Sequence, residues 1–254
     1  MRGMIRASQN QPKPMRHSAE FIALLVVCLV PACSEAQPPA VGDLTAQRNA
    51  MVEEQMEARG ISDPATLAAM RAVPRHEFLP LRLREEAYSD YPLPIGHGQT
   101  ISQPYIVAFM TEAIRAQPGE KILEIGAGSG YQAAVLAQMG ADVYTIEIVE
   151  PLAAMARQTL ERLGYTNAHV KHGDGYRGWP ERAPFDAVVV TCAPEKIPPD
   201  LIAQLKDGGR MIIPVGGGME QELVLLRKHG DKVEKQFVLP VRFVPMTGEA
   251  EKSR

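Results

Sequence analysis

The sequence predicts a doubly wound α/β fold, and three observations carry that prediction. Through the middle of the chain, short apolar strand-like runs alternate with amphipathic helical runs. A glycine-rich turn, Gly126-Ala127-Gly128-Ser129-Gly130, joins one such strand to an apolar helix. An acidic residue, Glu147, closes the strand that follows. Strand–helix alternation of this kind gives a parallel sheet with right-handed crossovers. Ligands of such sheets lie outside the carboxyl ends of the strands.

The chain has 254 residues, enough for one α/β domain with extensions. Hydrophobic residues make up 45%, which sustains a sizeable core. A net charge of −3 gives no general drive toward nucleic acid. Two of the three cysteines, Cys28 and Cys33, lie near the N-terminus, so the body holds Cys192 alone and no disulfide framework is expected. No Cys/His spacing resembles a zinc site, so no metal is expected either.

Residues 1–42 are set apart from the folded domain. Lys13, Arg16 and His17 precede an apolar run over 21–30, too short to span a bilayer as a helix but suited to a signal-peptide core. Met15 would make a compact start for it. Val30-Pro31-Ala32-Cys33 resembles a bacterial lipoprotein cleavage box, although Pro31 is unusual at its place. Residues 34–42 are a Pro/Ala-rich linker. An uncleaved disordered tail is the alternative reading. The folded domain is expected over 43–248, with a polar tail over 249–254.

The domain opens with a helix over 44–59, its apolar face Met51, Val52 and Met56, stopped by Gly60. Asp63 caps a second helix, with Pro64 at its first position, running to Pro74. Both precede the sheet and are expected to flank it. Residues 81–94 read as a loop. Pro104 opens a helix over 105–116, closed by Pro118-Gly119. Ile122, Leu123 and Ile125 form a buried strand, and a helix follows over 131–139. Next come a strand over 142–147, a helix over 151–163, a short strand over 168–170 and a strand over 185–191. A helix over 201–205 ends at Gly208-Gly209, before a strand over 210–215. Runs over 222–228 and 232–239 flank His229-Gly230-Asp231 and read as an antiparallel hairpin.

Glycine has no Cβ, so the backbone of the 126–130 turn can approach a ligand closely. The dinucleotide fingerprint places its third glycine where Tyr131 stands. The G-x-G-x-G spacing, with Glu124 inside the strand end, resembles the S-adenosylmethionine loop of Rossmann-like methyltransferases. That resemblance makes Glu124, Gly126, Gly128 and Gly130 candidate cofactor residues; a glycine-rich turn without a ligand is the alternative. Glu147, at its strand end, can accept both hydroxyls of a ribose. Asp174, in H-G-D-G just past the third strand, can accept a bond from an adenine amine, with Gly175 beside it, or can simply form an Asp-Gly turn. Thr191-Cys192-Ala193-Pro194 lacks the aromatic residue with which DNA amino-methyltransferases stack a flipped base, and no basic patch with interleaved aromatics is present. A nucleic-acid acceptor is therefore disfavoured.

A more specific resemblance rests on several segments in order. Gly98-Gln99-Thr100-Ile101-Ser102-Gln103-Pro104 with Tyr105-Ile106-Val107-Ala108 resembles the signature of the protein-L-isoaspartate O-methyltransferases. R-H-E-F-L-P at 75–80, E-I-G-A-G-S-G-Y-Q at 124–132, H-G-D-G-Y at 172–176, F-D-A-V-V-V-T at 185–191 and V-R-F-V-P at 241–245 are similar to that family as well. The likeness covers 44–247. It implies a Rossmann-like methyltransferase fold and S-adenosylmethionine as cofactor, with S-adenosylhomocysteine as product. It implies isoaspartyl proteins and peptides as substrates, methylated on the α-carboxyl, the ester then closing to a succinimide that partly reopens to aspartate. It also implies Ser102 as the catalytic residue, orienting the acceptor carboxylate; from local sequence alone Ser102 is equally a helix-start residue. A carboxylate acceptor is ionised at neutral pH and needs no general base. His97 is expected to face solvent and Cys192 to be a small buried residue. A small-molecule carboxyl O-methyltransferase, or a non-catalytic exported binding protein, are the alternatives on the same fold. The cofactor's origin favours the cytoplasm, against export or membrane anchoring through Cys33.

Overall fold

A computed structural model of the protein describes residues 44–252, Met219 excepted. The chain divides into two units, Met1–Ala40 and Val41–Arg254, and the described residues all belong to the second. The signal-like features expected over 1–42, Cys33 among them, lie outside the described residues.

The first helical stretch is α1, Thr45–Met51, continued by a π turn, Val52–Met56, and a 3-10 turn, Glu57–Arg59. It is thus not the single α-helix expected over 44–59. Bonding to the fifth residue along stacks residues five apart, which brings Met51 and Met56 onto one face with Val52; all three are buried. Gly60 ends the stretch in the left-handed conformation, φ 93°. In α2, Pro64–Ala72, the Asp63 carboxylate accepts the Thr66 N–H at 2.8 Å, the cap that the sequence indicates.

The expected loop over 81–94 holds a 3-10 turn, Leu81–Glu86, and ends in a strand, β1, Leu93–Gly96. That strand pairs antiparallel with β2, Gln99–Ile101. Gly96, His97 and Gly98 all take positive φ and make the turn, with His97 exposed to solvent. Leu93, Ile95 and Ile101 are buried, so the small hairpin packs onto the body. α3, Pro104–Ile114, follows directly.

The main elements are then β3, Lys121–Ile125; α4, Tyr131–Gln138; β4, Asp142–Glu147; α5, Glu150–Arg162; β5, Ala168–His172; β6, Phe185–Val190; α6, Pro199–Ala203; β7, Leu205–Gly217; β8, Glu220–His229; β9, Lys232–Val241; and α7, Glu249–Lys252. Seven strands form one sheet in the order β5-β4-β3-β6-β7-β8-β9, parallel through β7 and antiparallel beyond it. Several boundaries differ by a residue or two from the sequence reading, and three of the differences have a plain physical cause. β5 runs on to His172 because Lys171 and His172 pair with Ile146 and Glu147 despite their polarity. α6 starts at Pro199, where proline suits a first turn, so Leu205 is free to begin β7. Gly208-Gly209 does not separate helix from strand. It falls where the β6–β7 register jumps from Phe185↔Leu205 to Ala187↔Arg210, a bulge inside one long strand. Residues from Glu249, expected as a polar tail, begin with the helical turn of α7, where Ala250 is buried.

Alternation along the strands divides the core between two faces. Ile122, Val143, Ala187 and Val189 pack with residues of α1 to α5. Leu123, Ile125, Ile146, Val188 and Val190 pack with Leu201, Met246 and Ala250 on the other side. Strand order reverses between β3 and β6, so the crevice outside their carboxyl ends is where a doubly wound sheet binds its ligand.

Candidate active site

The turn after β3 is built by close approach to the end of β6. Gly126 has φ 97°, and a Cβ there would lie 2.5 Å from Thr191 Oγ1. The Thr191 hydroxyl instead donates to the Gly126 carbonyl at 2.6 Å, shared with Ile125 O at 3.0 Å. The turn's own N–H groups are largely spent on the protein. Gly126 and Ala127 donate to Ile146 O, Gly130 donates to Ala127 O, and Gly128 donates to Glu147 Oε2 at 2.8 Å. A phosphate-binding loop needs those donors facing its ligand. This loop offers close backbone approach without an anion cradle.

Glu147 is buried, and its other oxygen accepts the Val149 N–H at 2.9 Å. Each carboxylate oxygen therefore keeps acceptor capacity toward a ligand. Glu124, opposite Thr145 in the β3–β4 register, is fully buried. Neither of its oxygens has a hydrogen-bond partner among the described residues. Burial pushes its pKa up to about 8, with the Thr145 hydroxyl acting in the opposite direction and the Glu147 charge adding to the rise.

These residues share one slot. Of the sequence candidates, Ser102, Glu124, Gly126, Gly128, Glu147 and Gly175 line it. A Cβ on Gly175 would lie 2.4 Å from Ile125 Cγ2, so only glycine permits this approach of chain to strand. Gly130 and Asp174 are not brought to its surface. Gly130 caps α4 at φ 90°, where a Cβ would press on Leu160 at 3.3 Å; its role is the packing of α4 on α5. The Asp174 oxygens accept the Tyr176 N–H at 2.9 Å and the Glu249 N–H at 2.8 Å, pinning the turn after β5 to α7.

The slot also has a wall built from residues to which no motif assigns a role. Residues 244–247 close one side, held by Ala193 N–H to Val244 O and Met246 N–H to Ala193 O, both 2.8 Å. The one signal for it was the V-R-F-V-P match. Cys192 lines the slot too, half-buried where the sequence suggests full burial, and desolvation followed by the Glu147 charge pushes its thiol pKa up, which favours the neutral thiol.

Ser102 stands half-buried where the slot meets a second cleft, which shares Thr100, Ser102, Thr191 and Val244 with it. The N-cap of α3 is Gln103, with no side-chain capping bond, and the Ser102 hydroxyl makes no hydrogen bond among the described residues. Among those residues no group of three or more His, Cys, Asp or Glu could hold a metal ion. A buried carboxyl without partners and a second with spare lone pairs fit a ligand that carries positive charge and a ribose, as S-adenosylmethionine does.

Residues 46–251 match the family model of protein-L-isoaspartate(D-aspartate) O-methyltransferase. The chain is 58% identical over 206 residues to a protein-L-isoaspartate O-methyltransferase of Opitutus terrae, covering 81% of this chain and 88% of that one. It is 60% identical over 201 residues to that of Gloeobacter violaceus, covering 78% and 98%. Among solved structures, a protein-L-isoaspartate O-methyltransferase is 31% identical with a TM-score of 0.73, over 80% of this chain and 67% of the other. A Plasmodium falciparum structure assigned to the same enzyme class, in complex with S-adenosyl-L-homocysteine, is 26% identical with a TM-score of 0.69, over 79% and 98%.

The Glu124 environment sets a pH signature. Its folded pKa of about 8 stands above the ordinary 4.5, so the folded state holds a proton that the unfolded state releases. The stability this contributes is fully present below pH 4.5 and is lost as pH rises through about 8. Thermal melts of the ligand-free protein should therefore show Glu124→Gln gaining on wild type as pH rises from 4.5 to about 8, with no further gain above that. Parallel profiles would mean that the carboxyl is hydrated in the folded state.

Proposed function

We infer the function from a plain premise: the chain belongs to the protein-L-isoaspartate(D-aspartate) O-methyltransferase family. The enzyme transfers a methyl group from S-adenosylmethionine to the α-carboxyl of L-isoaspartyl residues in damaged proteins and peptides, which starts their repair. One observation carries the assignment of roles within this chain: the slot that fits the cofactor opens through Ser102 into a cleft for the acceptor.

Glu147 accepts the ribose hydroxyls on the lone pairs that Gly128 and Val149 leave open. Gly126, Gly128 and Gly175 let the backbone come close. Glu124, buried in the slot lining without partners among the described residues, would favour a cationic ligand, whose charge would in turn favour release of the Glu124 proton. Asp174 acts at one remove, holding the Gly175 turn through the Tyr176 N–H and tying it to α7 through the Glu249 N–H. When bound, S-adenosylmethionine supplies an electrophilic methyl group on a sulfonium.

The acceptor carboxylate arrives ionised, so no residue need remove a proton from it. The Ser102 hydroxyl, with no hydrogen-bond partner among the described residues, would donate to one oxygen of that carboxylate and so orient the acceptor for transfer. Holding two reactants in line supplies much of the acceleration that such a transfer needs.

For the compartment, no helix among the described residues is long and apolar enough to cross a membrane. We place the working enzyme in the cytoplasm, where its cofactor is made, against the competing arrangement of a lipid anchor on Cys33. Fractionating cells that express the full chain and Cys33→Ser should find both soluble with an intact N-terminus. Membrane association of the full chain, with a mature N-terminus at Cys33 that the variant loses, would reverse that placement.

The chemistry is tested on an isoaspartyl peptide beside its normal aspartyl twin. Only the first should accept methyl groups. Ser102→Ala should lower turnover while cofactor affinity and melting temperature stay near wild type, since Ser102 caps no helix. Methylation of both peptides, or of a metabolite carboxylate instead, would defeat the repair reading. Unchanged turnover in Ser102→Ala would remove Ser102 from catalysis.

A further inference from the structure

The cleft beyond Ser102 has a volume of about 740 Å³, the size range of sites that take a substantial ligand rather than a lone carboxyl group. Its lining carries charge of one sign. Among the described residues that border it, the charged side chains are Arg59 and Arg242, and no Asp or Glu is present. Among the described residues that line it, the cofactor slot carries no cation, and its acidic side chains are Glu124 and Glu147.

Arg59 is held in place from two directions. Its guanidinium carbon lies 3.5 Å from the ring centroid of Tyr105, on the α3 turn that follows Ser102. Its Nη1 donates to Asp90 Oδ2 at 2.7 Å. The segment that carries Asp90 is itself fixed: Gln55 Nε2 donates to Tyr88 O at 2.8 Å, and the buried Arg75 Nε donates to Ala87 O at 2.7 Å. A guanidinium stacked on a ring and tethered at one nitrogen has lost much of its side-chain freedom already, and its remaining N–H donors stay in a fixed fork. Asp90 does not border the cleft, so it orients the guanidinium from outside and offsets only part of its charge.

We propose that Arg59 is an acceptor-positioning residue, supplying the positive charge that draws the isoaspartyl carboxylate into the cleft and holds the acceptor beside Ser102. This rests on the methyltransferase reading given above. The isoaspartyl residue carries a free α-carboxylate, and cations in the cleft lining attract that anion; a normal aspartyl side chain bears the same charge, so Arg59 adds affinity for the acceptor and leaves discrimination to the shape of the site. Arg59 is partly exposed, so water and salt screen its charge and the effect is moderate.

The test compares wild type, Arg59→Gln and Arg59→Lys in the full chain. An isoaspartyl peptide is the varied substrate across a range of ionic strength. A fluorescent isoaspartyl peptide is also titrated directly in the presence of S-adenosylhomocysteine. Arg59→Gln should raise KM and the peptide Kd by about fivefold, leave kcat and cofactor affinity near wild type, and flatten the salt dependence of kcat/KM. Arg59→Lys should recover part of the loss. An unchanged KM and peptide Kd overturn the proposal. So does a raised KM with wild-type salt dependence, or a loss of cofactor affinity, since either marks a structural role only. If Arg59→Gln fails to fold, the wild-type salt profile decides, and a flat profile overturns the proposal. Failure of the wild-type enzyme to methylate or bind any isoaspartyl peptide would instead sink the underlying reading, and this proposal with it.

Discussion

Glu147 ties the cofactor loop to the sheet edge. Its two oxygens take the Gly128 and Val149 amides, and its own carbonyl takes the Gly173 amide. One side chain at the end of β4 thus fixes the glycine turn after β3 and the start of α5, while its backbone fixes the turn after β5. Such a carboxylate is costly to bury without partners, and here the backbone supplies them. The geometry leaves a lone pair on each oxygen, so the group that organises the loop is the same group that can receive a ribose.

Charge divides the site in two. The slot presents Glu124 and Glu147, suited to a ligand with a sulfonium and an ammonium. The cleft presents Arg59 and Arg242, suited to an anionic acceptor. Ser102 stands on the boundary, its hydroxyl uncommitted. Spending the loop N–H groups on Ile146 O and Glu147 fits this division, because a cationic cofactor gives a phosphate cradle nothing to hold.

The centre of the fold was legible because its cues are local. Ile122, Leu123 and Ile125 are buried on both faces of the sheet, and a short apolar run bounded by glycine reports that directly. The 126–130 turn and Glu147 stand at strand ends that periodicity alone locates. What stayed hidden depends on contacts between distant segments. The β1–β2 hairpin is a Gly-His-Gly turn between sparse apolar positions, and its burial comes from the body it packs on. The bulge at Gly208-Gly209 looks like a strand boundary until β6 sets the register. Residues 244–247 become a wall of the slot only once β8 and β9 return the chain to Ala193. Asp174 and Gly130 stand within family motifs, yet the first pins α7 and the second packs helices. Arg59, Asp90 and Tyr105 converge from three separate segments, beyond the reach of any local pattern.

The measurement closest to the centre of this arrangement is a calorimetric titration of S-adenosylmethionine into wild type and Glu147→Ala. Removing a charged acceptor from two hydroxyls costs ~1.5–3 kcal/mol, so the affinity should fall at least ~10-fold in a variant that remains folded. An unchanged affinity in the folded variant would contradict it, leaving Glu147 as a structural anchor of the loop with no part in holding the cofactor.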